Sequence, residues 1–136
     1  MRQLLDRAAV SWAAGALGGF ATAVALWAAG AWHLTGHLGV SFAPSLTPAW
    51  LYSRIVWGGL WGFLFMLPIA RGRWWVRGII LSLAPSAVQL LWVFPHETRA
   101  GMLGLGLGMA TPVVVLAANA VWGLTAAWLL RMLGRA

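Results

Sequence analysis

Four long apolar stretches, at about residues 9–32, 50–70, 75–94 and 103–130, constrain this chain more than any other feature. Crossing the hydrocarbon core takes roughly 20 consecutive apolar residues in a helix, because the backbone must bond to itself where there is no water. A soluble core helix has no use for runs of this length, and 136 residues leave no room beside them for a soluble domain. The stretches therefore predict an all-α, polytopic membrane protein: one transmembrane domain, a bundle of four helices with the lipid bilayer as its solvent. The first run, residues 8–31, is about 24 residues long, against roughly 7 to 15 for a signal-peptide core, so we expect it to be a retained helix.

The charges lie in the breaks and set the orientation. All nine basic residues are arginine. An inward N-terminus puts Arg2, Arg7, Arg71, Arg73, Arg77, Arg131 and Arg135 on the cytoplasmic side and leaves Arg54 and Arg99 outside, the bias expected of an inner-membrane protein with both termini in the cytoplasm. Tryptophans agree: Trp27, Trp32, Trp50 and Trp92 fall near the outer interface, and Trp12, Trp74, Trp75 and Trp128 near the inner one, where an amphipathic indole prefers to sit. A formal charge of +7 in this pattern marks membrane flanks, and nucleic acid, which needs a clustered basic surface facing water, is excluded as a partner. The chain has no cysteine and hence no thiolate chemistry.

Gly15 and Gly19, Gly58 and Gly62, and Gly104 and Gly108 form three pairs at four-residue spacing. Each allows a second backbone to approach closely, either within one chain or in a homo-oligomer. Pro85 and Pro112 lie inside apolar runs and predict kinks. The segment at 33–49 carries Gly36, Gly39, Pro44 and Pro48 and is expected to form a turn-rich outer cap. Val56-Trp57-Gly58 recurs as Val121-Trp122-Gly123, but the two lie at different depths and do not establish a repeat.

Three groups of residues could carry function. His33, His37, His96 and Glu97 fall on the outer side, with His33 and His37 on one face if the first helix continues that far. Imidazole with carboxylate suits a divalent metal such as zinc, copper or nickel, or the histidines could clamp a haem; the alternative is ordinary interfacial histidine. Arg54 and Arg77 near their span ends are expected to snorkel. For Arg54, an ion pair with Glu97, a lipid headgroup or an anionic substrate are the open partners. Gln89 and Asn119, with Ser82, Ser86 and Thr111, are the polar groups deepest in the spans. They serve either as hydrogen bonds between helices, Asn119 above all, or as a solute or ion pathway with Arg54. No titratable group occupies mid-span, which argues against proton-coupled transport, and no catalytic motif appears, so an enzyme is not expected.

Trp57-Gly58-Gly59-Leu60-Trp61-Gly62 with Phe63-Leu64-Phe65, followed late by Asn119-Ala120-Val121-Trp122-Gly123, resembles small, uncharacterised four-span bacterial inner-membrane proteins. That resemblance implies a location and no activity. Small multidrug transporters carry an acid in their first span, and fluoride channels a polar Phe motif; neither is present here. The expected function is a non-enzymatic packing or accessory subunit acting through lateral contacts, with itself or within a larger membrane complex. The alternatives are a small channel or carrier for a neutral or anionic solute, and an outer-face metal or haem binder.

Overall fold

The computed structural model describes residues 1–37, 39, 47–69, 72–97, 105, 108 and 110–134, with the side chains at 34, 35 and 94–97 outside that description. Every described element is helical and no strand occurs among the described residues. In chain order they are α1 (Arg2–Ala31), the single turn α2 (Leu34–His37), α3 (Pro48–Gly62) running into a 3-10 turn (Phe63–Met66), α4 (Trp74–Val88) running into a π-helical segment (Gln89–Glu97), and α5 (Thr111–Met132). Among the described residues three helices are long and apolar enough to cross a membrane: Arg2–Ala31, Trp74–Val93 and Thr111–Met132.

Helix ends differ from the sequence expectation for local reasons. α3 begins at Pro48, whose missing N–H is no loss at a first turn, and the Thr47 hydroxyl accepts from the Trp50 N–H at 3.3 Å. It gives up α geometry after Gly62, and the chain is extended by Leu67, immediately before Pro68, so this helix ends short of residue 70. α5 starts at Thr111 rather than 103, with Pro112 in its first turn. Pro112 therefore opens a helix and does not kink one. Pro85 does lie inside α4, which passes into the π segment one turn later. α1 ends at Ala31, and His33 follows in the left-handed region at φ 60°. The first helix thus does not continue through His33 and His37.

Packing follows the glycines. α1 lies against α3 and α5, and α4 lies against α5, giving the lateral order α3, α1, α5, α4. Gly15 and Gly19 of α1 meet Gly58 and Gly62 of α3 backbone to backbone: a Cβ on Gly58 would stand 2.6 Å from the Gly15 carbonyl oxygen and 2.8 Å from the Gly19 Cα. Two of the small-residue pairs are therefore used against each other within the chain, and Gly104 of the third lies outside the described residues. Gly78 and Gly123 make a second such crossing between α4 and α5, a Cβ on Gly78 falling 2.6 Å from the Gly123 oxygen.

Trp122, 3% exposed, is the hub. Its indole N–H is shared between the carbonyls of Gly15 (3.1 Å) and Gly58 (3.2 Å), so one α5 side chain ties both partners of the α1–α3 crossing. Its ring lies 5.7 Å from that of Phe65, and with Ala14, Leu81, Ala126, Ala127 and Leu130 the two form the hydrophobic core. The recurrent triplet thus has two unlike fates, because Trp57 is 60% exposed.

The core occupies the end of the bundle that holds most of the described arginines. Three successive carbonyls just beyond α3 are taken by guanidinium groups: Arg77 of α4 donates to Phe65 and Leu67, and Arg7 of α1 donates to Met66 at 3.1 Å. Arg131 of α5 lies 5.7 Å from the Trp74 ring of α4 at the same end. Arg77 is only 3% exposed and does not snorkel. Carbonyls at the end of the 3-10 turn attract a cation and offset its burial, the Leu67 oxygen accepting from the Ile69 N–H at 2.9 Å as well.

Candidate functional site

Beyond Trp122 and Phe65 the bundle still buries Ala23, Leu26, Leu90 and Val115, but it is open beside them. A cavity of about 610 Å³ lies above Trp122, walled by α1, α3, α4 with its π segment, and α5. The volume is that of a small-ligand site. α1 contributes Gly19 and Thr22, the latter donating its hydroxyl to the Ala118 carbonyl of α5 at 3.1 Å. α3 contributes Trp50, Ser53, Arg54, Trp57 and Trp61, residues on one face of a helix at three- and four-residue spacing. Pro85 and Val88 come from α4, Gln89, Trp92 and Val93 from the π segment, and Asn119 and Trp122 from α5.

All three residues read from the sequence as solute or ion contacts, Arg54, Gln89 and Asn119, therefore line one cavity. They come from three different elements, and no sequence spacing relates them. Arg54 is the one cation among the lining residues, and no acid lines the cavity among the described residues. Its guanidinium lies 5.3 Å from the ring centroid of Trp50, one turn earlier on α3. That contact lends the cation some π-face stabilisation and leaves its donor fork for oxygen acceptors. The side chain of Glu97 is outside the described residues, so the ion pair expected between Glu97 and Arg54 has no geometry here.

Among the described residues the Asn119 amide nitrogen does not make the bridge between helices that its depth suggested. This nitrogen, Nδ2, is buried and has no hydrogen-bond partner among the described residues, an arrangement that costs about 1–3 kcal/mol unless something else supplies an acceptor. Ser82 and Ser86 also depart from the interhelical expectation: they bond within α4, to Ile79 (2.7 Å) and Ser82 (2.9 Å) carbonyls. A helical carbonyl three or four residues back is always within reach of a serine hydroxyl, so these need no second helix. The Thr111 hydroxyl is buried without a partner among the described residues. Besides the Arg7 and Arg77 bonds at the other end, the bonds that cross helices come from Thr22 and Trp122, neither of which the sequence marked as a hydrogen-bonding group.

Of the three histidines, the structure describes the side chains of two. His33 and His37 are both exposed, joined through the backbone by the His37 N–H to His33 carbonyl bond of 2.9 Å. Among the described residues no group of three or more His, Cys, Asp or Glu side chains comes together to hold a metal. The side chains of His96 and Glu97 lie outside those residues. Comparison with protein-family models, with curated proteins and with solved structures finds no match.

Proposed function

We propose that this chain is an inner-membrane protein of four spans, with both termini in the cytoplasm, that binds a small neutral or anionic solute in the cavity above Trp122. The observation that carries this reading is the convergence of Arg54, Gln89 and Asn119 on one cavity, with the Asn119 Nδ2 buried and unbonded among the described residues. An intramembrane arginine is expensive to keep and marks a binding role by default. A bound acceptor removes the cost of the orphaned amide donor.

Two features support the membrane arrangement. α3 and its 3-10 turn together rise about 30 Å, at 1.5 Å and 2.0 Å per residue, enough to match the hydrocarbon core beside the three longer spans. Arg7, Arg77 and Arg131 meet at one end of the bundle while Arg54 stands toward the other, the segregation that a cytoplasmic-side bias requires. The assembly reading is less favoured, because Gly15, Gly19, Gly58 and Gly62 are spent on the α1–α3 crossing inside the chain.

Absence of native cysteine makes single-cysteine labelling clean. A membrane-impermeant maleimide added from outside should label Thr47→Cys and the cavity-lining Ser53→Cys, but not Gly72→Cys or Leu83→Cys on the exposed face of α4. Labelling of Gly72→Cys from outside would overturn the orientation. Protection of Ser53→Cys beside a reactive Thr47→Cys would overturn the water-reached cavity.

A further inference from the structure

The cavity has a side opening as well as a polar interior. α1 packs on α3 and on α5, and α5 on α4, yet α3 and α4 do not pack along their lengths on one another. Both nonetheless wall the cavity, so the gap between them is its lateral boundary. Trp57 of α3 and Trp92 of the π segment line the cavity and are also 60% and 57% exposed, which places them at its rim. In a membrane that rim faces acyl chains, while behind it stand one guanidinium, two amides and no acid among the described lining residues.

We propose that the ligand is an amphiphile carrying a phosphate monoester head, which enters sideways between α3 and α4 and leaves its apolar chain in the gap. The assignment rests on the cavity reading above. The Arg54 fork supplies parallel N–H donors matched to two phosphate oxygens. Gln89 and Asn119 each add amide donors, and the Asn119 Nδ2 is already unbonded among the described residues. With no acid on the lining to offset Arg54, a cationic head is repelled and a neutral one leaves the guanidinium without a counter-charge. The indoles of Trp57 and Trp92 offer flat apolar surface to the first carbons of the chain, as an amphipathic ring does at a membrane interface. A freely soluble phosphate would satisfy the polar groups but leave this rim uncovered.

The test uses the full chain in neutral maltoside micelles, titrated with three probes: 1-oleoylglycerol 3-phosphate, glycerol 3-phosphate without the chain, and mono-oleoylglycerol without the phosphate. Binding is followed by tryptophan emission, and stoichiometry by native mass spectrometry. The lipid phosphate should bind one per chain and saturate, with each of the other two at least tenfold weaker. Arg54→Gln should weaken the lipid phosphate at least tenfold while leaving Arg7, Arg77 and Arg131 in place, which separates this site from general attraction to the arginine-rich end. If Arg54→Gln does not fold, Gln89→Leu should weaken the same probe with the charge intact. Equal binding of mono-oleoylglycerol overturns the phosphate, equal binding of glycerol 3-phosphate overturns lateral entry, and unchanged affinity in Arg54→Gln overturns the site. Labelling of Ser53→Cys without any lipid-phosphate binding removes this ligand and leaves the cavity reading standing.

Discussion

Replacing Gly58 with alanine tests the contact on which the bundle depends. The added Cβ would lie 2.6 Å from the Gly15 oxygen and 2.8 Å from the Gly19 Cα, where ordinary carbon–oxygen and carbon–carbon contacts stand at about 3.3 Å and 3.5 Å. Both clashes are with backbone, so no side chain can swing aside, and α1 and α3 must part by about 0.7 Å at the crossing. A gap of that size forfeits a quarter to a half of the dispersion well for the atoms facing each other. It also stretches the Trp122 N–H bonds to Gly15 and Gly58, now 3.1 and 3.2 Å, toward the limit of hydrogen bonding. Overpacking of this kind costs about 1–3 kcal/mol, while alanine's better helix propensity returns about 0.8–1 kcal/mol. The expected result is a net loss in reversible unfolding of the purified protein in mixed micelles of rising SDS content, followed by tryptophan emission. Gly36→Ala in the turn α2, where a Cβ meets nothing within 4 Å, serves as the control and should be as stable as wild type or more so. A Gly58→Ala protein as stable as wild type, or more stable, would refute the close α1–α3 crossing.

Three further substitutions probe other parts of the structure by the same unfolding assay. Trp122→Phe keeps the aromatic packing on Phe65 but removes the shared N–H, and should cost about 0.6–1.5 kcal/mol; no change would mean that the bifurcated bond contributes nothing. Arg77→Met removes the donor to the Phe65 and Leu67 carbonyls while keeping a long apolar side chain, with an expected loss of about 1.5–3 kcal/mol, and unaltered stability would contradict its role as the clamp between α4 and the end of α3. Asn119→Leu deletes a buried donor that has no partner among the described residues, so stability should hold or rise while lipid-phosphate binding falls; a loss near 1 kcal/mol would instead indicate a bond to a facing helix.

How much of this was legible in the sequence depends on the range of the interaction involved. Helix content and the long apolar spans follow from composition and run length, because the backbone's need for internal bonds acts on every residue alike. Local chemistry also reads directly, as at the start of α3, where Thr47 and Pro48 are a cap and a first-turn proline. Pro112 shows the limit: a proline in an apolar run can kink a helix or begin one, and the run alone does not say which. No signal in the sequence marks the π segment that carries Gln89 and Trp92.

By itself the sequence determined which residues are unusual for a membrane interior: Arg54, Gln89 and Asn119 among apolar neighbours, and glycines at four-residue spacing. Only the tertiary structure decided what they meet. Gly15 and Gly58 are 43 positions apart and touch, the Trp122 N–H reaches both of their helices, and Arg77 finds carbonyls beyond α3 instead of water. The cavity itself belongs to no segment. It is walled by residues of α1, α3, α4 with its π segment, and α5, and two of its walls, α3 and α4, do not pack along their lengths on one another. Which helices pair depends on contacts between distant parts of the chain, and periodicity along one helix carries no record of its partner.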